Sequence, residues 1–394
     1  MTHPVRFAVP GSKSETQRAL VLASLCPAES TIEHPLDCAD SQALRQGLRA
    51  LGASVQEQPD RWLVGGGPLH APERPIDCRD GGTTARFLGP LCLLFDGPMV
   101  LDGSARLRER PIDEMARALE PLGVEARYLA AAGRLPLSLR RSVSLAANRT
   151  AVAGARSSQF ASGLLLVAPL LPHGLGLELE GELVSRPYLA LTAHMMRQFG
   201  AELRASGGGW QVEPKPYRPT RVRVGGDWSS AAFLLVGGLI TGHAIELEGM
   251  DPTSAQADRA IVPLLAELRQ PGPHVFDLSD CPDLLPPMAA AAACADGAIE
   301  LRGLRHARLK ESDRPAVLAR ALGRAGIGVT EREDGLRIES GGRLRPARLD
   351  PLGDHRMAMA FGLLSLREPG IESLDPGCVT KSYPQFWAEL ERLR

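Results

Sequence analysis

LRALGASV, residues 48–55, passes from the end of a helical pattern through a glycine into a strand-like run. The passage returns as LEPLGVEA (119–126), MMRQFGAEL (195–203) and LGRAGIGV (322–329), with a weaker version in LLAELRQPG (264–272). Each reads as an apolar-faced helix, a glycine able to close it in the left-handed conformation, and a strand returning to a sheet. Gly52, Gly123 and Gly200 recur at roughly seventy-odd residues, a spacing that suits a supersecondary unit used several times. Helix-glycine-strand text is common in α/β proteins, so coincidence is the competing account.

Around these copies, strands and helices interleave. Strand-like runs include PVRFAVP, RWLVGG, MVLDG, LSLRR, LELEG, WQVEP, RVRVGG and AIELEG. Helical patterns begin near Lys13, Ser41, Thr83, Ile112, Gln159, Arg186, Ser229, Pro286, Arg314, His355 and Tyr383. The class is α/β, with sheets covered by helices on at least one face. A chain of 394 residues suits two or three domains, and PKPYRPTRVRVGGDWSS, rich in proline and glycine, places a boundary near 220–228.

The net charge of −1 argues against nucleic acid, so any anion site must come from local clustering. Seven scattered cysteines form no CxxC and read as reduced thiols of a cytoplasmic protein. MTHPVRFAVPGSK lacks the apolar core of a signal peptide, and no apolar run is long enough to span a bilayer.

Several helix starts carry hydroxyls and cations. GSKSETQR offers Lys13, Ser14 and Arg18; DGGTTARFLGPL offers Gly82, Thr83 and Arg86; ARSSQFASGLLL offers Ser157, Ser158 and Gln159; LVSRPYLAL offers Ser185, Arg186 and Tyr188; GGDWSSAAFLL offers Asp227, Ser229 and Ser230. The first N–H groups of a helix lack partners and its dipole favours anions, so such a start suits phosphate or carboxylate. Ordinary N-capping is the plainer account of any one of them. None is a Walker loop or a GxGxxG turn.

Charge gathers again later. ARLRERPIDEM (105–115) alternates Arg106, Arg108 and Arg110, which an extended run would send to one face. LSDCPDLLPPMAAAAACA puts Asp280 and Asp283 before an almost uncharged helix, candidates for a base or for a cap. HARLKESDRPAVLARAL sets Lys310, Glu311, Asp313 and Arg314 at a helix mouth, GDHRMAMAFGLL adds His355 and Arg356, and VTKSYPQFWAEL adds Lys381. In each, charge stops and apolar text follows at once, which points to a shared polar cleft. His355 has no second ligand at metal spacing, so a proton shuttle, a hydrogen-bond donor or a structural histidine fits better.

In order along nearly the whole chain, PGSKSETQRAL, GGTTARFL, RLRERPIDEMARAL, SSQFASGLLL, SRPYLALT, GDWSSAAFLL, PDLLPPMAAAA, LKESDR, GDHRMAMAF and VTKSYPQFW resemble the 5-enolpyruvylshikimate-3-phosphate (EPSP) synthase family. The resemblance implies a two-lobed enolpyruvyl transferase fold, an inside-out α/β barrel with three βαβαββ units per lobe and the active site in the interlobe cleft. It places residues 12–225 in one lobe and 1–11 with 226–394 in the other. Shikimate-3-phosphate would meet Lys13, Ser14, Arg18, Ser157, Ser158, Gln159, Ser185, Tyr188, Asp283 and Lys310. Phosphoenolpyruvate would meet Lys13, Gly82, Arg106, Gln159, Arg314, Arg356 and Lys381. No cofactor, metal, nucleic acid or membrane is implied, and a cytoplasmic monomer is the family expectation.

The implied chemistry removes the proton of the 5-hydroxyl, adds that oxygen to C2 of phosphoenolpyruvate, protonates the methylene carbon and expels phosphate from a tetrahedral intermediate. A base and an acid must stand at different atoms. Asp283 is the expected base with Lys13 assisting, Glu311 the expected acid, and His355 a relay or orienting group; the cations hold charge as it moves onto phosphate.

The chain departs from the family pattern at Asp80 and His306, each where asparagine is usual, at Trp228, where a small residue is usual, and at Glu15, Thr16 and Gln17. Asp80 would repel phosphoenolpyruvate unless Arg79, Arg86 or another cation offsets it. Gly82 is the glycine that governs glyphosate entry in this family. The alternatives are a fold-retaining member with altered substrate or no turnover, and UDP-N-acetylglucosamine enolpyruvyl transferase, whose reactive cysteine has no counterpart in GSARLRERP.

Overall fold

The computed structural model describes residues 3–142, 147–154, 157–181, 184–339 and 341–394. The chain divides into two compact units, Gly11–Val224 and Met1–Pro10 with Gly225–Arg394.

In Gly11–Val224 one sheet plan is used three times. A parallel pair is extended by two antiparallel strands, in the spatial orders Arg221–Arg223, Glu29–Glu33, Arg61–Gly65, Ser54–Glu57; Ile76–Asp77, Pro98–Asp102, Leu137–Arg141, Val124–Tyr128; and Arg149–Ala153, Leu175–Glu180, Gly209–Val212, Arg204–Ser206. The first of these sheets is completed by the last strand of the unit, so the chain closes on itself there.

The repeated glycine sets this plan. Gly52, Gly123, Gly200 and Gly326 have φ of 102°, 88°, 89° and 89°, the left-handed region that a Cβ disfavours. In three copies the next residue donates back across the helix end, Ala53 to the Leu48 carbonyl at 3.1 Å, Ala201 to Met196 at 3.0 Å and Ile327 to Leu322 at 3.0 Å. This is the Schellman closure, which satisfies a carbonyl the helix leaves over. In all four the strand that follows is the edge of its sheet. The weaker fifth copy differs: only a few residues part the helix Ile261–Leu268 from His274–Asp277, which opens the next parallel pair instead of a hairpin.

The other unit holds the parallel pairs Val5–Ala8 with Ile245–Glu248, His274–Asp277 with Ala298–Arg302, and Ala347–Leu349 with Ile371–Ser373. Only the middle pair adds antiparallel strands, Gly335–Glu339 and Gly328–Arg332, among the described residues. Among the described residues, the middle repeat of this unit thus carries all four strands and the other two carry their parallel pairs.

Each unit encloses helices that are buried nearly all round: Lys13–Ser24, Gly82–Leu88 and Ser158–Val167 in one, Trp228–Thr241, Leu285–Cys294 and His355–Ser365 in the other. Their sequences lack a polar face, which is what an interior helix requires. Small side chains such as the alanines of Leu285–Cys294 let neighbours approach closely, so the core is built with few aromatic rings. Interior helices must begin somewhere polar, and those beginnings carry the charged and hydroxyl residues described next.

Gly52→Ala tests the closing glycine. Its Cβ would face the left-handed penalty and meet the His70 ring at 2.9 Å. A loss of about 1–2 kcal/mol is expected in urea unfolding, and an unchanged midpoint would contradict it.

Candidate active site

In the unit containing Gly225–Arg394, Arg314 is the hub. It opens the helix Arg314–Arg324, is wholly buried, and directs its guanidinium at three carboxylates. Nε donates to Asp354 Oδ2 at 2.9 Å, Nη1 to Asp283 Oδ1 at 2.7 Å and Nη2 to Glu311 Oε2 at 3.0 Å. Asp354 also accepts from the Ser312 hydroxyl at 3.0 Å and from the Arg356 backbone N–H at 3.0 Å. It thereby caps the helix His355–Ser365 while fixing Arg314. A second layer of cations closes over the carboxylates: Arg356 Nη2 lies 3.1 Å from Asp283, Lys310 Nζ 3.9 Å from Asp283 and Lys381 Nζ 3.9 Å from Glu311. His355 is fully buried, with Nε2 3.3 Å from Arg356 Nη1.

Burial works to raise the Asp283 pKa, but Arg356, Lys310 and Arg314 overcome it and hold the carboxyl well below its usual range. Burial would likewise discharge Arg314; Asp354, Glu311 and Asp283 keep it charged, with a pKa well above the ordinary arginine value. Arg356 is raised against burial chiefly by Asp283. Asp283, Arg314 and Arg356 are thus held in their charged forms, part of a preorganised field of fixed charges. His306 lies beside it and is kept neutral, its pKa pushed down to about 4 by burial and then by Lys310.

In Gly11–Val224, Lys13 begins the helix Lys13–Ser24 and pairs with Asp40 at 3.0 Å, both largely buried. Ser157 caps Ser158–Val167 by accepting from the Gln159 N–H at 3.3 Å. The Gln159 carboxamide then bridges helix starts: its Nε2 donates to Thr83 at 2.9 Å, and its Oε1 accepts from Arg86 at 2.6 Å. Ser185, before Arg186–Gln198, is held in the left-handed region at φ 59°. Ser14 and Tyr188 are half-buried, and both backbone carbonyls accept from Arg18, at 2.9 and 3.2 Å. Arg18 itself lies in the interior, bonded also to Thr192 at 2.8 Å and Ser162 at 3.4 Å, and burial lowers its pKa to about 10.

The family model for EPSP synthase (3-phosphoshikimate 1-carboxyvinyltransferase) matches residues 5–390. The chain belongs to the EPSP synthase family. Among curated relatives, the 3-phosphoshikimate 1-carboxyvinyltransferase of Dehalococcoides mccartyi is 36% identical over 98% of this chain and 95% of its own length. That of Thermococcus kodakarensis is 38% identical, over 98% and 96%. A solved EPSP synthase from Acinetobacter baumannii superposes with a TM-score of 0.80 at 26% identity, covering 99% of this chain and 95% of the other.

One placement differs from the sequence reading. Arg106, Arg108 and Arg110 do not share one extended face. Ser104 accepts from the Leu107 N–H at 3.1 Å and turns Ala105–Arg108 into a short helix. Arg106 is exposed and paired with Glu109, Arg108 binds Asp102 at 2.8 Å through Nε, and Arg110 packs on Gly82, where an added Cβ would meet its guanidinium at 2.7–2.9 Å. Asp80 accepts from the Ser104 hydroxyl, while Arg79 donates to Gln42 and Gln46 and Arg86 to Gln159 and the Pro111 carbonyl. Trp228 is buried, with its indole N–H 3.3 Å from the Asp251 carbonyl and its backbone N–H 3.0 Å from the Gln256 side chain.

The sequence reading missed Asp354 and Arg110 as members of these clusters. The first was visible only as one more aspartate before a helix; the second was visible only as one of three alternating arginines.

Replacing Arg314 by methionine takes the cation from the fully buried Asp354 and one partner each from Asp283 and Glu311, and an unfolding free-energy loss of about 3–5 kcal/mol is expected. Thermal or urea unfolding measures it. Asp283 has a depressed folded pKa, so its stabilisation is complete above the unfolded value of 3.8 and fades as pH falls below it. Asp283→Asn should therefore be less stable than wild type at pH 7, with the gap narrowing below pH 3.8; a pH-independent gap would contradict this.

Proposed function

We infer that the protein transfers the enolpyruvyl group of phosphoenolpyruvate to the 5-hydroxyl of shikimate-3-phosphate and releases phosphate. The observation that carries this reading is the Arg314 hub, where Asp283 and Glu311 hang from separate nitrogens of one guanidinium. Two carboxylates fixed apart suit a base and an acid that act on different atoms.

Asp283 takes the proton of the 5-hydroxyl, aided by Lys13, as that oxygen attacks C2. Glu311 gives a proton to the methylene carbon, and the tetrahedral adduct results. Glu311 then takes a proton back from that methyl carbon as phosphate leaves, which restores the double bond, and the proton held by Asp283 departs with the phosphate. Arg314, Arg356 and Lys381, with Lys13, Gly82, Gln159 and Arg106, receive the anionic groups of phosphoenolpyruvate; Arg106 must release Glu109 to do so. Ser14, Ser157, Ser158, Gln159, Ser185, Tyr188 and Lys310 hold shikimate-3-phosphate. Arg18 fixes the Ser14 and Tyr188 backbone that presents them. His355, against Arg356, orients that guanidinium. The same reading takes a cytoplasmic monomer as the working unit.

Phosphate release decides the matter. Purified protein should turn over phosphoenolpyruvate with shikimate-3-phosphate and not with UDP-N-acetylglucosamine. Silence with the shikimate substrate would overturn the reading. Asp283→Asn and Glu311→Gln should each lower kcat by about 10²–10⁴-fold, with smaller changes in KM.

A further inference from the structure

One buried carboxylate near the hub has no part in the mechanism above. Asp258 lies in the turn Ala257–Ala260 and is 2% exposed. Its Oδ2 accepts from the Ser229 hydroxyl, and its Oδ1 is buried without a hydrogen-bond partner. The turn is stapled in place: Gln256 accepts from the Trp228 N–H at 3.0 Å and donates to the Gly226 carbonyl at 2.9 Å. Ser229 sits in the first turn of the helix Trp228–Thr241, whose cap is Asp227. Asp258 is therefore held rigidly at an interior helix start, like the residues of the hub.

Its charged surroundings come from three directions. Asp283 and the Cys281 thiol face it from the segment before Leu285–Cys294, Arg356 from the start of His355–Ser365, and Asp227 from its own supporting helix. Arg259, on the same turn, points away to the Pro252 carbonyl. Arg356 thus feels two carboxylates, Asp283 in direct contact and Asp258 near enough to act on its charge. An ionised carboxyl with one oxygen unpartnered in the interior is far more costly than a protonated one.

We propose that Asp258 is a positioning residue that sets how much of the Arg356 charge is available to phosphoenolpyruvate, by staying neutral beside the ionised Asp283 and giving up its proton as the medium becomes alkaline. Burial, and then the Asp283 charge, push the Asp258 pKa up to about 7; Arg356 and the Ser229 hydroxyl act the other way. Below pH 7 Arg356 answers chiefly to Asp283, with a smaller contribution from Glu311, and keeps a net pull on an incoming anion. Above pH 7 a second carboxylate charge weakens that pull and repels the substrate phosphate.

The inference rests on the assignment of Arg356 to phosphoenolpyruvate, and its test separates the two. KM for phosphoenolpyruvate is measured by phosphate release at saturating shikimate-3-phosphate from pH 5.5 to 8.5, for wild type, Asp258→Asn and Ser229→Ala. The ionisation of the substrate itself is common to all three proteins and cancels in ratios. The ratio of wild-type KM to that of Asp258→Asn should be near one at pH 5.5 and climb by roughly three- to tenfold through pH 7. Ser229→Ala removes a hydrogen bond to the charged form, so its KM should rise at a higher pH than wild type; this variant keeps the test open should Asp258→Asn fail to fold. A ratio constant across the range, as a merely structural role would give, or an unmoved break in Ser229→Ala, would overturn the inference while leaving the activity intact. Wild-type protein that releases no phosphate at any pH would overturn the functional reading and this inference together.

Discussion

A guanidinium sealed from water is tolerable only if carboxylates surround it, and carboxylates sealed from water are tolerable only around a cation. Arg314 and its three partners meet both conditions at once. The partners come from separate segments: the turn at Pro282–Leu284, the loop residue Glu311 and the cap of His355–Ser365. Each segment is thereby held by the others. Such a network is weak evidence of net stability, because desolvation opposes much of the attraction. What it supplies is geometry, since a partner that swings away gives up its bond to a wholly buried guanidinium.

The fold allows this because its interior helices are apolar along their length and polar only where they begin. A helix such as Leu285–Cys294, nearly all small aliphatic side chains, can sit among neighbours without a solvent face. Its start then supplies unpaired N–H groups and a favourable dipole for anions. Both units follow this rule, with the Gln159 bridge to Thr83 and Arg86 as the counterpart of the Arg314 hub. Polar chemistry gathers at the helix mouths; farther in, Arg18, Ser162 and Thr192 are admitted because they satisfy one another.

Sequence was most informative where the cause is local. The closing glycines announce a left-handed residue whatever surrounds them, and helical patterns abut their observed starts within a few residues. The dense stretches holding Lys310, Glu311, Arg314, His355, Arg356 and Lys381 were legible as one charged group because apolar text follows each of them. Legibility failed where remote geometry or a single hydroxyl decides. Ser104 bends an alternating run into a helical turn and brings Arg110, not Arg106, against Gly82. Asp354 looks like an ordinary cap, and it is one; its partner Arg314 stands 40 positions earlier in the chain. Asp258 reads as one more acidic residue near a helix start, because its neighbours Asp283 and Arg356 are close only in space.

The first strand, Val5–Ala8, pairs with Ile245–Glu248, and its Arg6 meets Glu246 across 240 positions. The whole of Gly11–Val224 is inserted between these partners. On a ribosome the inserted unit has all of its strands, including the late Arg221–Arg223 that completes its first sheet, before the opening strand has anything to pair with. At ordinary elongation speeds that strand waits on the order of 10–50 s as an unpaired edge. Its brevity and the exposed arginine upon it are the kind of features that keep a lone strand from recruiting the wrong neighbour. The order of synthesis is thus written into the topology: the inserted unit is made whole first, and the opening strand finds its partner only after it.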